Sequence, residues 1–164
     1  MLGALDTRLL VAMRTRFHGP AAEAVMRALG RAGEYGAVWL AIGLVLALVD
    51  SERRDAWLVA GALGPAAIVL NFAVKLAVRR PRPVVEGLPP LGGAPSSLSF
   101  PSAHSTSSFA VATAATRIAP EAAVLYLLAA AIALGRPYLG MHYPSDALAG
   151  ALLGTALGLL VPLP

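Results

Sequence analysis

Cysteine is absent from the chain, which excludes disulfides and thiolate chemistry and leaves the redox compartment open. Charge is scarce as well: Asp, Glu, Lys and Arg make up 13 % of the 164 residues, against ~25 % in an ordinary soluble domain. Aromatic residues contribute 6 %, and the Lys and Arg lie mostly between apolar runs. There is no stacking platform of the kind that binds single-stranded nucleic acid. The net charge of +4 therefore points to anionic lipid headgroups, with no nucleic-acid partner expected. Residues 1–17 lack a basic stretch followed by an uninterrupted apolar one and carry Asp6, Arg8, Arg14 and Arg16, so no cleaved signal is read there. What the chain has in quantity is apolar: 57 % hydrophobic residues and a mean hydropathy of +0.70. With no repeat and no linker, this composition predicts a single all-α domain set in a bilayer.

Leu2, Leu5, Leu9 and Met13 recur at helical spacing, with Asp6 and Arg16 intruding on that face; His18-Gly19-Pro20 ends the helix. Over 21–32, Glu23, Arg27 and Arg31 form a charged stripe at steps of four, with Val25, Met26 and Leu29 on another face. Residues 1–33 thus read as an amphipathic helix pair at the interface. Residues 34–164 read as a polytopic transmembrane catalytic bundle of about five helices, over 35–49, 56–78, 103–118, 121–134 and 146–161. Arg79-Arg80-Pro81-Arg82-Pro83 and a Gly/Pro/Ser-rich loop over 84–99 separate the second from the third, and the two prolines keep the arginines in extended or turning backbone. A polar connection over 135–145 precedes the last span. There Gly150, Gly154 and Gly158 mark a face for close helix packing or for a homo-oligomer.

Tracing the crossings places Lys75, Arg82, His104, Arg136, His142 and Asp146 on one side of the membrane. Three of these are cations with one acid to pair with, a balance that a phosphate would restore. Arg binds phosphate oxygens as a fork and Lys as a point charge. Pro101-Ser102 is a helix-start signal, so Ser102, Ala103 and His104 sit where unpaired N–H groups favour an anion. His142 and Asp146 are four apart with Pro144 at a helix N1 position, so the carboxylate can hold one imidazole nitrogen and leave the other as nucleophile. His104 could then protonate the leaving oxygen. Two His and one Asp could also hold zinc, but three neighbouring cations oppose a divalent ion, so no metal and no cofactor are expected.

These residues resemble the three signature motifs of the type 2 phosphatidic acid phosphatases, integral membrane lipid phosphate phosphatases that share a site with vanadium haloperoxidases. Lys75 to Arg82-Pro83 matches Lys-x6-Arg-Pro, Pro101-Ser102-Ala103-His104 matches Pro-Ser-Gly-His, and Arg136, His142 and Asp146 match Ser-Arg-x5-His-x3-Asp. Ala103 stands for the Gly of the second motif and Gly135 for the Ser of the third. The resemblance implies metal-free hydrolysis of a lipid phosphomonoester, with His142 forming a phosphohistidine, Asp146 orienting it and His104 as general acid. Lys75, Arg82 and Arg136 would bind the phosphate, helped by Ser102 and the Ala103 N–H. Arg79 and Arg80 fall outside the motifs and read as headgroup or substrate-periphery contacts, and Tyr138 and Tyr143 as packing. The small size and Ala/Arg/Gly-rich style are also similar to actinobacterial members that act on decaprenylphosphoryl-5-phosphoribose in cell-wall precursor synthesis.

Other substrates of that family, namely phosphatidylglycerophosphate, phosphatidic acid and undecaprenyl pyrophosphate, are the alternatives. A non-catalytic lipid-phosphate binding or transport protein is the alternative of another class; a vanadate-dependent oxidant enzyme fits poorly, since its relatives are soluble. A plasma-membrane location is expected. Arg8, Arg14, Arg16, Arg27 and Arg31 lie on the site's side against Arg53, Arg54 and Arg117 opposite, which sets the site toward the cytoplasm.

Overall fold

The computed structural model describes residues 2–16, 18–92 and 98–164, and among them all regular structure is helical. Seven α-helices follow in order: α1 Leu2–Arg16, α2 Pro20–Ala32, α3 Ala37–Val49, α4 Arg54–Val78, α5 Ala103–Ile118, α6 Leu125–Tyr138 and α7 Pro144–Leu160. Short 3₁₀ turns at Glu34–Gly36, Ser51–Arg53 and Pro120–Val124 join them. Part of the Gly/Pro/Ser-rich loop expected over 84–99 falls on residues 93–97, outside the described residues.

Helix α5 is the axis of the bundle, packed by α4, α6 and α7. Its small residues explain the position. Ser105 to Ser108 and Ala110 to Ala115 are buried, and the hydroxyls of Thr106 and Thr116 bond carbonyls four residues back, so a Ser/Thr-rich helix carries its polarity inward at little cost. Gly150, Gly154 and Gly158 of α7 lie along this helix. A Cβ at Gly154 would stand 2.2 Å from the Thr106 carbonyl oxygen, so only glycine admits the approach. The glycine face is filled from within the chain, which corrects its reading as a surface for a second copy. On the other side Trp39 of α3 is wholly buried, donating Nε1–H to Ser108 Oγ at 3.0 Å, and Asn71 of α4 donates to Thr106 Oγ1 at 2.9 Å. Ala60, Leu63, Ala67, Val111 and Ile132 complete this core.

Among the described residues, two segments are long and apolar enough to cross a membrane, Ser51–Val78 and Pro120–Tyr138. The pair Pro20–Ala32 and Glu34–Val49 passes the same test when its two helices are taken as one across a 51° bend. Helices α2 and α3 are joined through the turn at Glu34–Gly36. Helix α7 is a shorter apolar helix, and α5 is enclosed by its neighbours, which frees it from the need to be hydrophobic all round. The polar connection expected over 135–145 is shorter, because α6 runs on through Arg136 to Tyr138 and closes with Leu139 N–H bonding Gly135 O at 3.0 Å. Pro137 in the last turn removes little of the ladder there. Arg136 therefore projects from a helix, not a loop.

Candidate active site

Helix α4 ends where Arg79 takes a left-handed conformation, φ 54°, its N–H bonding Lys75 O at 2.9 Å. That turn sends 80–83 back across the bundle end. Lys75, 5 % exposed, donates Nζ–H to Leu98 O at 2.6 Å, and it feels the charges of Arg82, Asp146 and Arg136. Arg82 Nη1 donates to Met141 O at 2.6 Å and lies 3.1 Å from His142 Nε2.

A guanidinium can only donate, so Nε2 of His142 is the nitrogen with the free lone pair, and the ring proton belongs on Nδ1. Nδ1 faces Asp146 Oδ2 at 3.6 Å, an electrostatic contact longer than a hydrogen bond. Burial pushes the imidazole down to about 4; Asp146 opposes this, and Arg82 and Arg136 add to it. His142 is therefore neutral across the physiological range. Asp146 is wholly buried, and its oxygens accept from the Ser99 hydroxyl, from Tyr143 N at 2.8 Å and from Arg80 Nη1 at 2.8 Å.

Ser102 caps α5 as its spacing predicts, its Oγ accepting from Ser105 N–H. Its own N–H goes to Asp146 O at 2.9 Å, so Ser102 ties α5 to α7, and Ala103 keeps its N–H in the open first turn. His104 reaches Gly30 O of α2 with Nε2 at 3.0 Å; a carbonyl only accepts, so this nitrogen carries a proton. Arg136 is buried, its Nε has no partner among the described residues, and its Nη2 lies 2.8 Å from Met141 Sδ. A cavity of about 320 Å³ opens on His104 and Arg136, lined also by Arg27, Arg31, Glu34 and Met141. His142 does not line this cavity and is 2 % exposed. At Gly135, any side chain would bring a Cβ to 3.3 Å from Met26 Sδ of α2, so glycine suits the tight α2–α6 seam.

The structure adds residues that the spacing of the motifs passes over. Arg80 is no peripheral contact: its fork bonds Asp146 on one side and Asp6 Oδ2 on the other at 2.7 Å, and it lies 4.1 Å over the Tyr143 ring. Asp6 also accepts from Ser145 N–H at 3.0 Å and from the Ser145 hydroxyl. Burial alone would raise the Asp6 carboxyl, but the bonds from Ser145 and Arg80 outweigh it and hold the group below its ordinary value. Two signals were present in the sequence. Asp6 is an acid on an apolar stripe, and Arg80 and Arg82, two apart in proline-held extended backbone, point to one side. Arg80→Ala is expected to lower kcat about 10- to 100-fold, the worth of a charged hydrogen bond, with KM for phosphate ester nearly unchanged and partial recovery in Arg80→Lys. Steady-state kinetics on the three proteins checks this, and a rise in KM alone would contradict it.

The PAP2 superfamily model matches residues 55–163. The chain is 39 % identical over 142 residues to a decaprenylphosphoryl-5-phosphoribose phosphatase of Mycobacterium tuberculosis, covering 87 % of this chain and 80 % of the relative. It is 38 % identical over 148 residues to the protein of that name from Mycolicibacterium smegmatis, covering 88 % and 81 %. Among solved structures, it resembles the transmembrane PAP2 type phosphatidylglycerolphosphate phosphatase of Bacillus subtilis, with a TM-score of 0.76, 24 % identity, and coverage of 97 % of this chain and 83 % of the other. LpxE of Aquifex aeolicus gives a TM-score of 0.72 at 23 % identity, covering 95 % and 93 %.

Proposed function

The chain belongs to the PAP2 superfamily, and from that premise we propose that it is a metal-independent phosphatase of a polyprenyl-linked sugar phosphate, best matched by decaprenylphosphoryl-5-phosphoribose, acting through a phosphohistidine. The observation that carries the reading is the state of His142: neutral, its Nε2 lone pair held toward Arg82 and its Nδ1 toward Asp146. The relatives that carry the phosphoribose name support the choice of lipid.

A phosphate monoester entering past His104 takes the Arg136 guanidinium from Met141 Sδ, a weak acceptor, and recruits Arg82 and Lys75 to its remaining oxygens. His142 Nε2 attacks phosphorus in line with the ester oxygen; the N–P bond forms as the P–O bond breaks, and His104, doubly protonated once the dianionic phosphate lies beside it, passes its Nδ1 proton to the departing sugar oxygen while its Nε2–H stays on Gly30 O. Water then attacks the phosphohistidine, giving a proton to His104 and returning His142 as the neutral ring. The cations stabilise the equatorial oxygens throughout, the task that a divalent ion performs elsewhere. The protein lies in the plasma membrane with the site toward the cytoplasm: Arg14 is buried on Pro89 O, but Arg8, Arg16, Arg27 and Arg31 are exposed on the site's side and still exceed the three opposite.

Phosphate release from the phosphoribose lipid in mixed micelles is expected to be undiminished by EDTA. Loss of release with the chelator would contradict the metal-free mechanism. Release from phosphatidylglycerophosphate, phosphatidic acid or undecaprenyl pyrophosphate in preference would reassign the substrate, and release from none of them would leave a lipid-phosphate binding protein.

A further inference from the structure

We infer that the cavity beside His104 is a subsite for the part of the substrate that stays on the lipid: a sugar whose hydroxyls are accepted by Glu34, joined through a second phosphate that is taken by Arg31. The inference rests on the phosphatase reading above. At about 320 Å³ the cavity is of small-molecule size and exceeds the needs of one phosphate. One wall is a single face of α2 carried into the next turn. Arg27, Gly30, Arg31 and Glu34 stand at positions i, i+3, i+4 and i+7, which places them on one side of a helix.

Glu34 is the residue that decides the chemistry. A carboxylate beside a phosphate clamp repels the anion for which the clamp is built, and Glu34 is close enough to act on Arg136. A carboxylate does accept strongly from hydroxyl groups, so its place in this wall suits a polyol attached to the scissile phosphate. Arg27 is bonded to Glu23 at 2.8 Å, whereas Arg31 has no hydrogen bond or ion pair among the described residues. Arg31 is thus the cation left for a second anion, beyond the sugar. Gly30 joins the two halves: its carbonyl holds His104 Nε2, and a Cβ there would stand 2.9 Å from Arg136 Nη1, so a side chain would wall the sugar off from the scissile phosphate.

The test compares phosphate release from a short-chain polyprenylphosphoryl-5-phosphoribose and from phosphatidic acid, which lacks both the sugar and the second phosphate, in phosphatidylcholine–detergent micelles. Glu34 and Arg31 are exposed, so Glu34→Gln and Arg31→Gln leave the fold intact. Each is expected to lower kcat/KM for the phosphoribose lipid about 10- to 100-fold; phosphatidic acid hydrolysis should change by about twofold at most in Arg31→Gln and stay level or rise in Glu34→Gln, where a charge that repels the phosphate is gone. The dephosphorylated product, polyprenylphosphoryl-ribose, should inhibit the unsubstituted enzyme and lose potency against both variants. Equal changes on the two lipids would overturn the subsite and leave the phosphatase standing, since that is the result if Glu34 only balances nearby arginines. An Arg31→Gln effect seen on both lipids, and only when phosphatidylglycerol is added, would assign Arg31 to bilayer headgroups and overturn its part. Release from neither lipid by the unsubstituted protein would overturn the function and the subsite with it.

Discussion

His142→Ala is expected to abolish turnover, a loss of about 10⁴-fold or more, while inorganic phosphate still binds. The two readouts separate because the two tasks fall to different residues. In the proposed mechanism His142 supplies the bond to phosphorus. Lys75, Arg82 and Arg136 supply the charge that holds the anion, and each has an anchor besides the imidazole: Lys75 on Leu98 O, Arg82 on Met141 O and Arg136 on the last turn of α6. Single-turnover release measures the first quantity and titration calorimetry with phosphate the second. Undiminished release would remove His142 from the nucleophile's role. The pH profile adds a check with a definite sign. The attacking form is the neutral ring, and burial lowers its proton affinity to about 4 from an ordinary 6.5, so the acid limb due to this group lies near pH 4 and activity persists through mildly acidic conditions.

Much of this site was legible because it is written in short-range spacing. Ser102 as N-cap, His104 in the first turn of α5 and Pro144 at the start of α7 follow from local rules, and the His142/Asp146 step of four puts both on one side of a helix start. Helix α4 and its end at Val78 were also readable, since a long apolar run is bounded there by arginines. What escaped is what packing alone decides. Asp6 meets Arg80 across 74 positions, and no window along the chain contains both. The acid that seemed to spoil an apolar stripe on α1 is the partner that holds the helix onto the start of α7. The end of α6 was read too early because Arg136 looks like loop in sequence; its burial against α2 makes it helix. The glycine stripe of α7 was read correctly as a packing face, but only the fold says that α5 fills it, since a glycine face serves a neighbour in the same chain and one in a second copy equally well.

His104→Ala is expected to slow hydrolysis of the sugar-phosphate lipid by about 10² to 10⁴-fold, the size of a general-acid contribution, and hydrolysis of p-nitrophenyl phosphate far less. The difference lies in the leaving group. A sugar alkoxide is a strong base that leaves only as it gains a proton, whereas nitrophenolate leaves as the anion and has no use for one. In the structure His104 Nε2–H is held by Gly30 O on the cavity wall, so the proton given away in the proposed step is the one that Nδ1 takes up when Arg136 beside it holds the ester phosphate. The alanine variant also cuts the tie between α5 and α2, and a shift of α2 could lower both rates for that reason alone. His104→Asn separates the effects, because a carboxamide N–H can keep the bond to Gly30 O but cannot give its proton away. If His104 is the acid, Asn repeats the pattern of Ala, with the large loss confined to the alkoxide substrate. If Asn restores the lipid rate, or if both substrates fall equally in both variants, His104 is a clasp between the two helices and the leaving oxygen takes its proton elsewhere.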